Sequence, residues 1–405
     1  MPTTLITFLG LVPASRGGAY KETRYVLGEH GFTTRFLGAG LAEALDVDTV
    51  RILGTTGSMW DVLADAMGAT RDEATWVELA DAVAADRVDA ALLARVEAEL
   101  NAHGRRHFEL RLIPYGFEEG VQVDILQTLA EGLGRPSDRL YLDITHGLRH
   151  LPMLGLLSAF YLQALGHARV DEIFYGAWDR SSEAGTPVVS LRGLLKVQDW
   201  VRCLEQFEKD GDYGIFRDLL VAEGLAGKLL AEAAFLERVG NLSLAQQKLN
   251  SFWQGVAEPA SPTGRMFLPL LKARLAWRTS ARRSEWERKL AEQALAKADY
   301  LRASIFAFES RISARVERDG GDTNNFQQDR EAAEAALQQE TKDARVDFKS
   351  ERNFYTLKFL RNQLAHGVRA KVEAQGMTGV TAGFVASLAR DEDKLRPWLA
   401  GALRG

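Results

Sequence analysis

The sequence predicts two domains of different classes, an α/β domain followed by an all-α domain. Up to about residue 195, apolar runs typical of strands alternate with longer helix-like stretches, a pattern that favours a mainly parallel sheet with helices on both faces. Beyond residue 195, the chain is rich in Ala, Leu, Glu, Arg and Lys and has few strand-like runs. The length of 405 residues is enough for two or three domains.

The first domain contains six strand-like segments. Residues 5–9 form a compact apolar run, and residues 108–113 alternate apolar and polar side chains as a half-exposed strand does. Ligands of such folds bind at the carboxyl ends of the strands, so the loops after the strands are the expected place for a site. The predicted strands are residues 5–9, 33–37, 49–53, 108–113, 140–145 and 170–175, and the predicted helices are residues 60–67, 73–101, 121–133 and 151–165.

The second part is predicted to be helical apart from two loops. Proline and glycine mark a loop at residues 255–265, and glycine, aspartate and asparagine mark another at residues 319–325. We therefore divide the chain into a first domain at residues 1–195, a helical domain at residues 301–405, and residues 196–300 between them. That middle stretch is either a helical linker or the early part of the helical domain.

The composition excludes several classes of protein. Lys and Arg total 50 and Asp and Glu total 55, so the net charge of −5 excludes a globally basic nucleic-acid-binding protein. The single cysteine, Cys203, leaves no internal disulfide and no cysteine-rich zinc site, and we expect a reducing, cytoplasmic setting. Residues 150–168 carry no Asp, Glu, Lys or Arg, but they contain Pro152 and Gly155, which favours a buried helix over a membrane span.

Three loops of the first domain have the composition of an anion site. They follow the first, third and fifth predicted strands, at residues 10–18, 54–60 and 143–149. Glycine permits close backbone approach, and hydroxyl groups and helix amino termini bind phosphate. None of the loops carries the dinucleotide-binding or the P-loop pattern, which disfavours a dehydrogenase and a P-loop NTPase. The candidate residues of this phosphate or nucleotide site are Gly10, Ser15, Arg16, Thr55, Ser58, Thr145, His146, Gly147 and Arg149.

The last of these loops carries side chains with distinct expected roles. Asp143 is expected to fix the loop by accepting bonds from backbone N–H groups, a structural role. His146 can donate a hydrogen bond to a phosphate or a nucleobase, and Arg149 adds a permanent positive charge.

The sharpest feature of the helical domain lies near its end. Apolar residues recur at helical spacing from Phe354 to Ala365, and Gly367 is placed to end the helix in a left-handed cap. This leaves His366 at the helix end, with Arg361 five residues earlier and about 140° around the helix.

A stripe of basic residues precedes this helix. Its members recur at spacings of three, four and three, which predicts one helical face that could follow an RNA backbone. Acidic residues lie beside them, so a solvated charged face is the favoured interpretation of the stripe alone. The basic residues are Lys342, Arg345, Lys349 and Arg352.

Both parts of the chain resemble known families. Arg361 to His366 matches the Arg-x4-6-His motif of HEPN ribonucleases, with the polar Asn362 after the arginine. The first part resembles the CARF domain, a Rossmann-like domain with a mainly parallel sheet. The chain is therefore similar to the CRISPR-associated CARF–HEPN ribonucleases of type III systems. The segments that resemble CARF signatures are residues 8–10, 20–25, 54–61 and 143–147.

The resemblance implies an activity and roles for individual residues. HEPN domains cleave single-stranded RNA without a metal, through attack of the 2′-hydroxyl on the adjacent phosphate, and leave a 2′,3′-cyclic phosphate. Arg361 would stabilise the charge on the phosphorane, His366 would position or move a proton, and Asn362 would orient the 2′-hydroxyl or the phosphate. The family also carries an acidic residue on an earlier helix, for which Glu309 is the candidate.

The resemblance also implies an activator and an oligomeric state. CARF domains dimerise and bind a cyclic oligoadenylate, and HEPN domains dimerise too, so we expect a homodimer or a higher even oligomer. A two-fold axis favours a ring with an even number of units, and we expect cyclic tetra-adenylate rather than hexa-adenylate. Activation would follow from the difference in affinity of the ring for two dimer states.

Two alternatives remain open from the sequence. The chain could be a ligand-sensing regulator or adaptor whose helical domain binds a partner without cleaving RNA. Independently, the first domain could degrade its own activator, with Thr145, His146 or Ser15 taking part.

Overall fold

The protein consists of two compact units, residues 1–198 and residues 199–405. All the described strands lie in the first unit, and the described part of the second unit is built of helices. The computed structural model describes residues 2–12, 21–103, 105–133, 139–148, 150–166, 169–180, 182–343, 347–367 and 379–404.

The first unit is built around an eight-stranded, mostly parallel sheet. Its strands are β1 (Thr3–Leu9), β2 (Thr23–Leu27), β3 (His30–Thr34), β4 (Thr49–Gly54), β5 (His107–Leu112), β6 (Arg139–Asp143), β7 (Arg169–Gly176) and β8 (Thr186–Ser190). The strand order is β3-β2-β8-β7-β6-β1-β4-β5. The five strands from β7 to β5 are parallel, β8 is antiparallel to β7, and the β2–β3 hairpin extends the sheet beyond β8. The predicted α/β class is therefore confirmed.

Helices cover both faces of this sheet. Successive side chains of a strand point to opposite faces. Accordingly, Leu5 and Leu9 of β1 belong to one apolar core with α1 to α4, and Ile6 and Phe8 belong to a second core with α5 and α6. These helices are α1 (Leu37–Ala44), α2 (Trp60–Met67), α3 (Glu73–Ala84), α4 (Ala90–His103), α5 (Glu119–Ala130) and α6 (Leu151–Leu165).

Helix α6 is the uncharged segment that the sequence analysis assigned to a buried helix. Leu151, Leu154 and Leu162 are buried in the second core, so the helix packs on the sheet as predicted, but only one of its faces is buried. Among the described residues, no helix is both long enough and apolar enough to cross a membrane.

Two predicted elements of the first unit differ in the structure. The predicted strand 33–37 ends at Thr34, because the Thr34 hydroxyl accepts a bond from Phe36 N and donates one to Phe36 O, which turns the chain into α1. The predicted helix-like stretch 73–101 is two helices. It is interrupted after α3, where Asp86 adopts a positive φ of 51°.

The described part of the second unit is helical, as predicted. The helices at residues 283–296 and 300–318 pack together and carry several of its buried aromatic and aliphatic side chains. Its helices are α7 (Arg192–Asp210), which spans the division between the units, α8 (Arg217–Ala222), α9 (Gly227–Arg238), α10 (Leu242–Gln254), α11 (Pro262–Arg274), α12 (Arg283–Ala296), α13 (Tyr300–Arg318), α14 (Glu331–Asp343), α15 (Phe354–His366), α16 (Gly379–Leu388) and α17 (Glu392–Arg404).

Candidate functional site

The sheet brings the candidate loops of the first unit to one edge. Strand β1 pairs in parallel with β4 on one side and with β6 on the other, so the three strands end together. The loop after β4 (residues 55–58, the β4 loop) therefore lies at the same edge as Gly10 and the loop after β6 (residues 144–148, the β6 loop). Three predicted ligand residues, Ser15, Arg16 and Arg149, lie outside the described residues.

The β4 loop is bonded to the end of β1. The Ser58 hydroxyl donates to Leu9 O at 2.8 Å and accepts from Thr55 N at 2.8 Å. Met59 N donates to Gly10 O at 3.1 Å. The Thr55 and Ser58 hydroxyls lie 3.2 Å apart, and both residues are buried, so both hydroxyls have a role in shaping the edge. Direct contact of either hydroxyl with a ligand stays a prediction.

Asp143 and Thr145 fix the β6 loop from within the sheet. The fully buried Asp143 carboxylate accepts from Thr145 N at 3.0 Å and from the Thr7 hydroxyl at 2.8 Å. The predicted structural role of Asp143 is confirmed. The Thr145 hydroxyl in turn accepts from Gly176 N at 2.8 Å, which ties the β6 loop to the end of β7.

His146 and Gly147 form the tip of the β6 loop. The His146 ring stacks on Phe36, with centroids 5.5 Å apart. Burial lowers the pKa of His146, although the nearby Asp143 carboxylate opposes that shift, so the imidazole is neutral at physiological pH. Gly147 has a φ of 102°, and a Cβ there would lie 3.0 Å from Leu151 Cδ1. The loop therefore presents the exposed backbone of Gly147, while the neutral His146 ring packs on Phe36 beside it.

A further polar group at this edge, Asp86, is not among the residues predicted from the sequence. Asp86 accepts from the Thr56 hydroxyl at 2.5 Å and from the Tyr115 hydroxyl at 2.7 Å. These two bonds lower the pKa of the Asp86 carboxyl, which therefore stays ionised. The available signal was Tyr115-Gly116 directly after a strand-like run, but Asp86 lies inside a stretch that resembles one long helix.

In the second unit, α15 carries the predicted catalytic pair. The Asn353 side chain caps the helix by accepting from Thr356 N at 2.9 Å. The helix ends at His366, which is exposed, so the predicted helix end is confirmed. The predicted left-handed cap is wrong, because Gly367 combines a φ of 75° with an extended ψ of 154°.

Arg361 lies against α13. Its guanidinium carbon is 4.4 Å from the centroid of the Phe308 ring, a cation–π contact. Its Nε is buried and has no hydrogen-bond partner among the described residues. Asn362 is half-buried. The α-helical geometry separates Arg361 and His366 by about 7.5 Å along the axis and by about 140° around it.

Glu309, the candidate acidic residue, forms an ion pair in this structure. Its carboxylate lies 2.5 Å from Nη2 of the buried Arg330, which also donates to the Ser313 hydroxyl at 2.8 Å. This ion pair gives Glu309 a structural role, because an unpaired buried guanidinium is costly. Its assignment as a catalytic residue stays a prediction.

The basic stripe before α15 does not form one helical face. Lys349 and Arg352 lie in turns between α14 and α15, since Asp347 and Ser350 side chains bond the backbone there. Arg345 and the side chain of Lys342 lie outside the described residues. Among the described residues, no cluster of three or more His, Cys, Asp or Glu side chains could hold a metal ion.

Two comparisons relate the chain to known proteins. Residues 4–177 match the family described as "CRISPR system endoribonuclease Csx1, CARF domain". A segment of 213 residues is 26% identical to the CRISPR-associated protein MJ1674 of Methanocaldococcus jannaschii. That segment covers 48% of this chain and 33% of the relative, so the chain spans about a third of the length of that relative. The resemblance of the first unit to the CARF domain is confirmed.

Proposed function

We propose that this chain, a CRISPR-associated protein with a CARF domain over residues 4–177, is a ribonuclease of type III antiviral defence that cyclic oligoadenylate activates. It would cut single-stranded RNA in the cytoplasm, as a homodimer or a higher even oligomer and without a metal. The observation that carries the proposal is the presence of a CARF domain in a chain whose helical unit holds Arg361 and His366 at the end of one helix.

The edge formed by the β4 and β6 loops supports the binding of a cyclic oligonucleotide. The β6 loop leads directly into α6, a helix of 15 residues whose amino terminus favours phosphate. Gly147 allows a ligand to approach the backbone, and His146 supplies a neutral donor. A ring of nucleotides offers the phosphates and bases that such groups bind.

An exposed apolar stripe on α6 supports a dimer of the first unit. Met153, Leu157, Tyr161 and Leu165 recur every fourth residue and are 43–70% exposed. Exposed apolar surface of this kind marks an interface, and a surface without formal charge can pack against its own copy around a two-fold axis. Because α6 begins beside the β6 loop, such a dimer would bring two β6 loops towards one ring. A ring with an even number of units, cyclic tetra-adenylate first, matches that symmetry.

Arg361 supports the cleavage step. The guanidinium of the half-buried Arg361 packs on Phe308, which would position it for an RNA phosphate. The RNA 2′-oxygen would form a bond to phosphorus as the bond to the 5′-oxygen breaks. The 2′-hydroxyl loses a proton, the 5′-oxygen gains one, and the products are a 2′,3′-cyclic phosphate and a 5′-hydroxyl. His366 would move a proton, and Arg361 would stabilise the phosphorane.

The test is a cleavage assay with the full chain in EDTA. Fluorescent single-stranded RNA is incubated with the protein alone, with cyclic tetra-adenylate and with cyclic hexa-adenylate. We expect cleavage only with an activator, and we expect the His366→Ala variant to bind activator but not to cleave. His107→Ala is the matched control, because His107 is an exposed histidine at the start of β5. Intact RNA under all conditions, or an unchanged rate in His366→Ala, would contradict the proposal.

A further inference from the structure

Three aromatic side chains form an exposed surface at the carboxyl edge of the first sheet. We call Tyr115, Phe117 and His150 the ring cluster. Phe117 is 77% exposed, although exposed phenylalanine side chains are disfavoured in water. Its ring stacks on Tyr115, with centroids 5.7 Å apart and planes 13° apart, and lies 6.1 Å from the His150 ring. The apolar cores of the unit leave the exposure of Phe117 unexplained.

Hydrogen bonds hold the ring cluster in place. The Tyr115 hydroxyl donates to Asp86 Oδ1 at 2.7 Å. His150 Nε2 lies 2.8 Å from Tyr115 O and donates to it. Gly116, with a φ of 74°, lets the chain pass close to His150, since a Cβ there would lie 3.0 Å from His150 Nε2. The cluster is therefore a preformed surface, which lowers the entropic cost of binding a flat ligand.

The ring cluster lies between the two loops assigned to the activator. On one side, a Cβ on Gly57 of the β4 loop would lie 2.8 Å from the Tyr115 hydroxyl. On the other side, His150 is the residue that precedes α6, just after the β6 loop. A nucleotide held by either loop therefore has the cluster as its neighbour.

We propose that Phe117 is a stacking platform for a nucleobase of the cyclic oligonucleotide activator. The inference rests on the proposed function and adds a base-binding subsite to it. Every nucleobase has a flat π-face, and aromatic side chains bind single-stranded nucleotides by stacking on it.

Charge at the edge orients the nucleotide on this platform. The ionised Asp86 carboxylate, bonded to Tyr115, repels phosphate, whereas the amino terminus of α6 attracts it. The phosphates are thereby directed to the β6 loop and the base to the ring cluster. Asp86 can also accept a hydrogen bond from the exocyclic amino group of adenine.

The experiment measures binding of cyclic tetra-adenylate to the full chain by calorimetry. We expect Phe117→Ala to weaken the Kd about 5- to 150-fold, the range that stacking of one base gives. Phe117→Leu keeps an apolar side chain without a π-face, so it should weaken the Kd by a similar factor. Phe117→Trp should bind within about threefold of the unsubstituted protein. Val77→Ala, at an exposed apolar position on α3, is the control that should bind normally.

Two results would contradict the stacking role of Phe117 and leave the proposed function intact. Normal binding by Phe117→Leu would show that the contact is apolar rather than stacking. Dissociation of the dimer by Phe117→Ala, with an unchanged Kd, would assign this surface to a second copy of the chain. Failure of the unsubstituted protein to bind any cyclic oligoadenylate would overturn the proposed function itself, and the platform with it.

Discussion

Among the described residues, Arg361 packs on the Phe308 ring and forms no ion pair. A carboxylate would compete with RNA phosphate for the guanidinium, whereas the ring positions it without neutralising its charge. The contact explains how the side chain can be partly buried and still be available. Asn362 and His366 follow Arg361 on the same helix. His366 is exposed, whereas Arg361 and Asn362 are half-buried.

Replacement of Arg361 by lysine tests this arrangement. Arg361→Lys keeps the positive charge but loses the planar set of donors, so we expect activator-dependent cleavage to fall about 100- to 1,000-fold. The affinity for cyclic tetra-adenylate should not change. Single-turnover cleavage and a binding titration measure the two effects. Arg318→Lys, on an exposed arginine of α13, is the control, and an equal loss of rate in both variants would contradict the role of Arg361.

Gly147 and Gly166 form a matched pair for testing the β6 loop. Both have a positive φ, but a Cβ at Gly147 would crowd Leu151 and Phe8, whereas nothing lies within 4 Å at Gly166. We expect Gly147→Ala to cost about 1–3 kcal/mol of stability and to weaken activator binding. Gly166→Ala should cost about 1 kcal/mol and bind normally. Thermal unfolding measures the stability of the two variants, and calorimetry measures their binding of the activator. Normal binding by Gly147→Ala would show that the β6 loop is not part of the activator site.

Glu237 makes the stability of the second unit dependent on pH. Burial raises its pKa from 4.5 to about 7, although Tyr213, Arg302 and Arg238 oppose the shift. Because the folded state binds the proton more tightly, protonated Glu237 contributes about 3 kcal/mol to the free energy of unfolding. This contribution is fully present below about pH 4.5 and is lost as the pH rises through about 7. We expect Glu237→Gln to be more stable than the unsubstituted protein at pH 8 and similar at pH 5. Urea unfolding at both pH values measures this, and equal differences at both would contradict it.

At the scale of elements, the sequence predicts the central strands of the first unit more clearly than the hairpin at the edge of its sheet. Strands such as β1 and β4 are buried on both faces and rich in apolar residues, so their runs identify them directly. The strands of the β2–β3 hairpin are short and only partly buried, so their residues carry little periodic signal. The break after α3 depends on Asp86, whose backbone conformation and bonds to Thr56 and Tyr115 come from the tertiary fold.

The candidate sites, too, were predicted only in part from the sequence. His146 and Gly147 were found because they follow an apolar strand, and Arg361 and His366 because they share one helix. The ring cluster and Asp86 were missed because residues 86, 115 and 150 meet only when the sheet forms. Glu309 lies on the predicted helix, but sequence cannot reveal its ion pair with Arg330, which depends on the turn before α14.

The α6 stripe gives a prediction at the same scale. Leu157→Glu places a charge in the middle of the surface assigned to the dimer, where a second copy would bury it. We expect the variant to sediment as a monomer and to bind cyclic tetra-adenylate more weakly, because one ring would contact only one β6 loop. Val77→Glu, on α3, introduces the same charge elsewhere and should remain dimeric. A dimeric Leu157→Glu variant would place the interface on another surface.

For the whole molecule, we propose that a dimer brings two copies of α15 into one composite site, and mixed dimers test this proposal. Equal amounts of unsubstituted protein and His366→Ala, exchanged at random, give about a quarter of dimers with two intact copies. If both pairs act together, cleavage should fall to about a quarter of that of unsubstituted protein at the same total concentration. If each pair acts alone, it should fall only to about half. Exchange is verified with differently labelled copies. Activity near one half would show that each chain cleaves RNA independently. In that case the dimer would serve only to bind the activator.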